Sequence, residues 1–180
     1  MAIVPRSRGV GITIAAAATA PERAAASFAD LYRETFADVY AYVATIVTDR
    51  SAAEDVTAQA YERAYRKRRS FDAKRGSERA WIFGIARNAA LDELRRRRRV
   101  AWLHAEPPDE VLVAHDEVAV RRATVRAALE NLEPRDREIV ALKFHGGLTN
   151  AELAKVLGLS ESNAGTRLHR AVTKLREACS

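Results

Sequence analysis

The chain carries one cysteine, Cys179, close to its C-terminus. A single thiol closes no internal disulfide, which excludes a disulfide-built secreted scaffold and fits a reducing, cytoplasmic setting. The four histidines are scattered and form no ligand-spaced cluster with it, so neither a metal site nor a cofactor is expected. Glycine and proline are scarce, at eight and five residues, and aromatics make up only 7%. Between these few breakers lie long runs rich in Ala, Arg, Glu and Leu, and no segment alternates with period two. Sheet is therefore excluded and an all-α fold is expected. No apolar run approaches the roughly 20 residues that a membrane-spanning helix needs. No nucleophile–base pair, phosphate loop or ligand cluster is visible, so an enzyme is not expected.

Basic residues are plentiful. The net charge is +6 and the pI is near 9.8, which suits an anionic partner such as nucleic acid or an acidic membrane surface. The cations gather at Arg63–Arg75, at Arg87–Arg99 and along the last helix. Between Val100 and Val120 there is none, while Glu106, Asp109, Glu110, Asp116 and Glu117 stand there. Arginine greatly outnumbers lysine, which favours bidentate and stacking contacts to phosphates and bases.

The most informative stretch is Leu148–Arg176. Thr149 with Glu152 makes a capping box, and Leu153, Ala154 and Leu157 share one helical face. Gly158 suits a left-handed residue that ends the helix. Ser160 caps a second helix, with Glu161 at its positive end. There Ala164, Leu168, Ala171 and Leu175 face inward, while Arg167, Arg170, Lys174 and Arg176 project cations. This is the pattern of a DNA-binding helix-turn-helix; an ordinary helical hairpin with a solvated basic face shares it.

Ahead of this unit the chain falls into three parts. Residues 1–26 read as a low-complexity, flexible extension. Arg6 and Arg8 before Val10–Ala20 superficially resemble a signal peptide, but the run is short and Pro21 follows the supposed cleavage site. Residues 27–99 read as a helical domain. Ser27 with Asp30 opens a helix bearing Phe28, Leu31, Tyr32, Phe36, Val39, Tyr40, Val43, Ile46 and Val47. Ser51 with Glu54 opens a second, with Val56, Ala60, Ala64, Tyr61 and Tyr65 inward. A loop over Phe71–Ser77 leads to a third helix capped by Ser77 and ending in the arginines Arg95–Arg99. Phe71, Trp81 and Phe83 beside cations are what single-stranded DNA binders use; a core role for Trp81 is equally open. Residues 100–117, with Pro107-Pro108, read as an acidic linker. Residues 118–178 form a rear domain in which Val118, Val125, Ala128, Leu129 and Leu132 share a face. There Pro134 starts a helix, Ile139, Val140, Leu142 and Phe144 are core candidates, and Gly146-Gly147 ends that helix.

Several short motifs stand in one order: Ala53-Glu54-Asp55, Phe71-Asp72, Arg75-Gly76-Ser77 and Trp81-x-x-x-Ile85-Ala86-Arg87-Asn88. Asn131-Leu132-x-Pro134-x-Asp136-Arg137-Glu138 and the helix-turn-helix follow. Together they resemble regions 2 and 4 of the extracytoplasmic-function (ECF) sigma factors of the bacterial sigma-70 family, over about Ser27–Glu177. The resemblance implies a two-domain sigma factor that binds core RNA polymerase and directs promoter-specific initiation. It implies that Asp55, Gln59, Glu62 and Arg63 meet the clamp helices of the polymerase largest subunit, on a surface otherwise read as merely solvated. It implies that Phe71, Lys74, Arg75, Trp81, Arg87, Asn88, Asp92, Arg95 and Arg96 recognise and open the minus-ten element. Glu161, Ser162, Asn163, Thr166, Arg167, Arg170 and Lys174 would read the minus-thirty-five element, with the rear domain also on the polymerase flap. An anti-sigma protein is implied as a further partner, and stable membrane insertion is not. The linker would thread toward the polymerase active-site cleft and RNA exit path; a tether kept off DNA by its charge is the plainer reading. Gly165, where the family often has a cation, and the small Ala164 depart from the family pattern.

Two other classes stand open on the residues alone. A stand-alone regulator would use the rear helix-turn-helix as a dimer on a palindromic operator, without polymerase. A basic RNA-binding or structural protein would bind through the arginine run, in a salt-sensitive and sequence-indifferent way.

Overall fold

The computed structural model describes residues 20–104 and 125–179, with side chains over 28–100 and 125–179. Every regular element among them is helical. Residues 1–19 and 105–124 lie outside the described residues, and with them most of the extension expected over 1–26, most of the linker expected over 100–117, and Val118.

Three long helices make the front unit: α1 (Ala20–Val47), α2 (Arg50–Lys67) and α3 (Glu78–His104). The first begins earlier than the Ser27 cap expected from sequence. Pro21 fits a first turn, and the Ala, Glu and Arg residues after it are strong helix formers, so the helix does not wait for Ser27. The break before α2 is also differently made. Asp49, not Ser51, is the cap: its backbone is extended and its carboxylate accepts the Ala52 N–H at 2.7 Å. Thr48 just ahead has φ 65°, a left-handed backbone that a β-branched residue rarely adopts. At α3 the expected cap holds, with Ala80 N–H donating to Ser77 Oγ at 3.1 Å. This helix runs on through His104, past the Arg99 at which the sequence ends it.

The three helices pack on one another. Leu31, Val39, Tyr42, Val43 and Val47 of α1 meet Val56, Ala60, Tyr61 and Ala64 of α2 and Ile82, Phe83, Ala86 and Ala90 of α3. Each fully buried aliphatic here contributes about 1.5–3 kcal/mol. Phe83 is fully buried, with its ring 5.6 Å from Tyr42. It is a core residue and not a base-stacking one. The long periodicity of α1 conceals a division: Tyr32 and Phe36 are 41% and 38% exposed, because only part of the apolar stripe is covered.

The rear unit has a helical segment over 125–130 (α4), α5 (Pro134–Phe144), α6 (Asn150–Leu157) and α7 (Glu161–Ala178). Ala128, Leu132, Ile139, Val140 and Leu142 are buried, whereas Val125 is exposed. Phe144, expected in the core, is 67% exposed. It is the last residue of α5, and no described residue covers its ring. Gly146 follows for a steric reason: a Cβ there would lie 2.4 Å from the Leu142 carbonyl oxygen. Gly147, at φ 62°, completes the turn.

The two units share one continuous core. The face of α5 lies on α1, and α6 lies on α3.

Candidate polymerase and DNA interfaces

Asp49 and the heptad-like spacing of small residues fix which side of α2 looks outward. With Val56, Ala60 and Ala64 buried, Asp55, Gln59, Glu62 and Arg63 emerge together on the opposite face, all exposed. Positions i, i+4, i+7 and i+8 make one stripe. Glu62 pairs with Arg66 at 2.6 Å, and Arg63 reaches Asp92 of α3 at 3.4 Å. These exposed pairs contribute little to stability, so the stripe is a polar surface open to a partner.

The second surface begins in the loop between α2 and α3. Asp72 accepts the Lys74 N–H at 3.0 Å, which folds the loop into a tight turn. Lys74 and Arg75 are left exposed. Phe71 and Trp81 sit half-buried with ring centroids 5.6 Å apart. Trp81 is thus neither a sealed core residue nor a free one: its ring packs beside Phe71 and stays partly exposed. Along α3, Asn88, Asp92, Arg95 and Arg96 continue from Trp81 at spacings of seven, four and three or four, and all are exposed.

The arginines of this run are partly neutralised within the chain. Glu93 accepts both Arg96 (2.7 Å) and Arg97 (2.8 Å), and Arg97 also reaches Asp49 at 3.1 Å. The Arg96 hydrogen bond, helped by Arg97, holds the Glu93 carboxyl down at about 2 against the effect of burial. Arg95 pairs with Asp92 at 3.0 Å.

Arg87 stands apart from its neighbours. Its Nε lies 2.8 Å from Glu138 Oε1, and Nη2 donates to Oε2 at 3.4 Å. The shorter contact is an ion pair whose N–H is not aimed along it. Beside the pair is the buried hydroxyl of Tyr42, which has no hydrogen-bond partner among the described residues. Burial pushes that phenol well above its ordinary value.

The third surface is α7. The capping box ahead of it is complete: Thr149 Oγ1 accepts the Glu152 N–H at 3.2 Å, and Glu152 Oε2 accepts the Thr149 N–H at 2.9 Å. Gly158, at φ 68°, closes α6, and Ser160 caps α7 by accepting the Asn163 N–H at 3.2 Å. Ala164 and Ala171 are fully buried, which turns Glu161, Ser162, Asn163, Thr166 and Arg170 outward and leaves Arg167 half-exposed. Lys174 bends back to Asp136 of α5 at 2.9 Å. Gly165 leaves room: a Cβ there would lie 3.6 Å from Asn150 Nδ2, an ordinary contact.

Two features escaped the sequence. Arg79 is one. Nothing local marks it, yet it ties α3 to Asp38 and to the α5–α6 turn. The other is an open groove lined by Tyr32, Phe36, Tyr40 and Tyr61 with Arg50 and Glu54. Its signal was present, as a helix with more aromatic surface than one core face can cover.

Comparison with known proteins gives the same division. Residues 31–100 match the family model "Sigma-70 region 2", and residues 122–175 match "Sigma-70, region 4". The ECF RNA polymerase sigma factor SigX of Bacillus subtilis is 31% identical over 162 residues, covering 84% of this chain and 82% of the relative. SigK of Mycobacterium tuberculosis is 28% identical over 158 residues, covering 84% of each. Among solved structures, the sigma factor RpoE from Bartonella quintana, in complex with the anti-sigma factor NepR, superposes with a TM-score of 0.73. Its identity is 22%, over 84% of this chain and 96% of that one. CnrH, in complex with the cytosolic domain of CnrY, gives 0.64 at 24% identity, over 86% and 91%. Two family regions in order, and a relative of this identity along most of both chains, make this protein a member of the ECF sigma factors of the sigma-70 family.

Proposed function

We propose that the chain confers promoter choice on core RNA polymerase through three separate surfaces. The α2 stripe of Asp55, Gln59, Glu62 and Arg63 docks on the polymerase clamp helices. The Phe71–Ser77 loop and the α3 stripe from Trp81 to Arg96 take up the minus-ten element. A base leaving the stack costs a few kcal/mol, and stacking on the open side of Trp81, worth about 1–3 kcal/mol, offsets much of it. The exposed residues of α7 enter the major groove at the minus-thirty-five element. The protein acts as an initiation factor rather than a catalyst, and works in the cytoplasm, where the polymerase is. No helix among the described residues is long and apolar enough to cross a membrane.

The observation that carries this reading is the order of the two sigma regions on one chain, each presenting its own basic surface. Region 2 accounts for the front domain that a stand-alone regulator would leave as a sensor or dimer module. Joining the two regions on one chain lets two weak readers act together at high effective concentration. An anti-sigma protein is the proposed holding partner, supported by the NepR complex of the RpoE relative in fold.

Run-off transcription with purified bacterial core polymerase, this chain and a promoter library tests it. Discrete, chain-dependent starts preceded by a shared two-part motif are expected. A chain that neither directs transcripts nor binds polymerase would overturn the reading.

A further inference from the structure

Among the described glycines two stand inside helices, Gly84 of α3 and Gly165 of α7; the others lie in turns or at helix ends. An interior glycine weakens its helix, because alanine and the longer side chains hold helical backbone better. Gly165 has a neighbour in the chain, since a Cβ there would meet Asn150. Gly84 has none. Apart from the backbone of its own helical turns, a Cβ built on it would find no atom within 4 Å. Its φ is not positive either. Neither packing nor backbone conformation therefore calls for glycine at this position.

Its place on α3 does give it a use. At 100° per residue, Gly84 lies within about 60° of both Trp81 and Asn88, on the stripe that continues to Asp92 and Arg95. Trp81 and Asn88 are about 10 Å apart along the helix axis, and the missing side chain leaves a notch between them. Trp81 stands half-buried at one end and Asn88 exposed at the other. Ile85, partly buried against the core, borders the notch on the far side. An aromatic ring, an aliphatic wall and an amide that both donates and accepts suit a flat ring with a polar edge. A nucleobase out of its stack has that chemistry, and base edges are read by such amides. Glycine is also the residue that lets a ligand approach backbone closely.

We propose that Gly84 seats one unstacked base of the minus-ten element, which lies against the α3 backbone between Trp81 and Asn88. This rests on the sigma reading above and adds to it a residue that positions the opened strand. Gly84 thus trades helix stability for room at the DNA surface, and the α2 stripe takes no part in it.

The test uses the full chain with Gly84→Ala and Gly84→Met, on a promoter found by run-off transcription. Both replacements are better helix formers entering open space, so the thermal midpoint of the free chain is expected to hold or rise. Binding to core polymerase is expected to stay unchanged. Permanganate reactivity of minus-ten thymines and run-off yield are expected to fall with side-chain size, about threefold for alanine and at least tenfold for methionine. An abasic scan of the minus-ten element then looks for the base itself. At one position the parent should lose promoter binding while Gly84→Met loses nothing further, because its notch is already filled. Variants that open the promoter as well as the parent would overturn the proposal. So would a lowered midpoint, which would make the glycine a requirement of the fold, and so would equal abasic losses in parent and variant at every position. A parent chain that neither binds polymerase nor directs a start would sink the sigma reading, a result told apart from the others because it needs no variant.

Discussion

Arg87 of α3 and Glu138 of α5 form an ion pair that joins the front unit to the rear, with only 21% and 10% of their side chains exposed. Its weight is set by what is left when one partner goes. Glu138→Ala strands a guanidinium in a mostly dry setting, and a loss of about 1–3 kcal/mol is expected from urea unfolding. Replacing both by methionine should recover much of that, because neither charge is then unpaired. A double-mutant cycle is expected to give a coupling of about 1–2 kcal/mol. Additive effects would mean that the pair contributes no coupling.

Two glycines should respond to alanine in opposite directions. Gly165 lies inside α7 with room for a methyl group, and helix propensity favours alanine by roughly 0.5–1 kcal/mol. Gly165→Ala should therefore raise the unfolding midpoint. Gly146→Ala drives a Cβ against the Leu142 carbonyl oxygen, where 2.4 Å is available. It should lower the midpoint by distorting the end of α5.

The sequence made some of this legible and hid the rest for physical reasons. The helix-turn-helix was readable almost residue by residue, because Thr149, Glu152, Gly158 and Ser160 act on their own backbone neighbours. The caps of α1 and α2 were misplaced: strong helix formers carry α1 back past Ser27, and at α2 Asp49 stands two residues ahead of Ser51 and takes the Ala52 N–H. Phe83 and Phe144 exchanged their expected places because burial depends on which neighbour covers a position, and periodicity does not contain that. The docking of α5 on α1 was invisible for the same reason. Arg87 could be identified as basic, but not as Glu138's partner 51 positions away.

Tyr42 carries a second test of that interface. Its ring is fully buried and its hydroxyl has no hydrogen-bond partner among the described residues, a state that costs on the order of 1–3 kcal/mol. Tyr42→Phe removes the orphaned group and keeps the ring against Phe83. The variant is expected to be as stable as the parent or more so, by up to about 1 kcal/mol, in chemical denaturation. A clear loss would reveal a partner for the hydroxyl.

His145 gives the interface a pH dependence whose sign is fixed. Burial lowers its pKa below the ordinary 6.5, and Asp38 restores only part of that. The folded state therefore resists the proton more than the unfolded state does. Its contribution is fully present above pH 6.5 and is lost as the pH falls through that value toward the lowered one. Thermal midpoints measured from pH 7.5 down to 5.5 should fall, and should fall less in His145→Gln. Equal slopes in the two proteins would show that other groups dominate this range.

Arg170 and Lys174 both belong to the proposed minus-thirty-five surface, but the structure commits them differently. Arg170 is exposed on α7, whereas Lys174 is 2.9 Å from Asp136 and must release it before it can neutralise a phosphate. Each phosphate neutralised on duplex DNA steepens the dependence of log K on log salt by about 0.9. For the polymerase complex on its promoter, Arg170→Ala should flatten that slope by roughly one. Lys174→Ala should change it by less than half as much, since the lysine enters the complex already paired with Asp136. The same variant should weaken α7 on α5 in unfolding experiments, where Arg170→Ala is silent. Equal flattening by both variants would mean that Lys174 exchanges Asp136 for phosphate in the complex, and α7 would then present one more cation to DNA than the free chain shows.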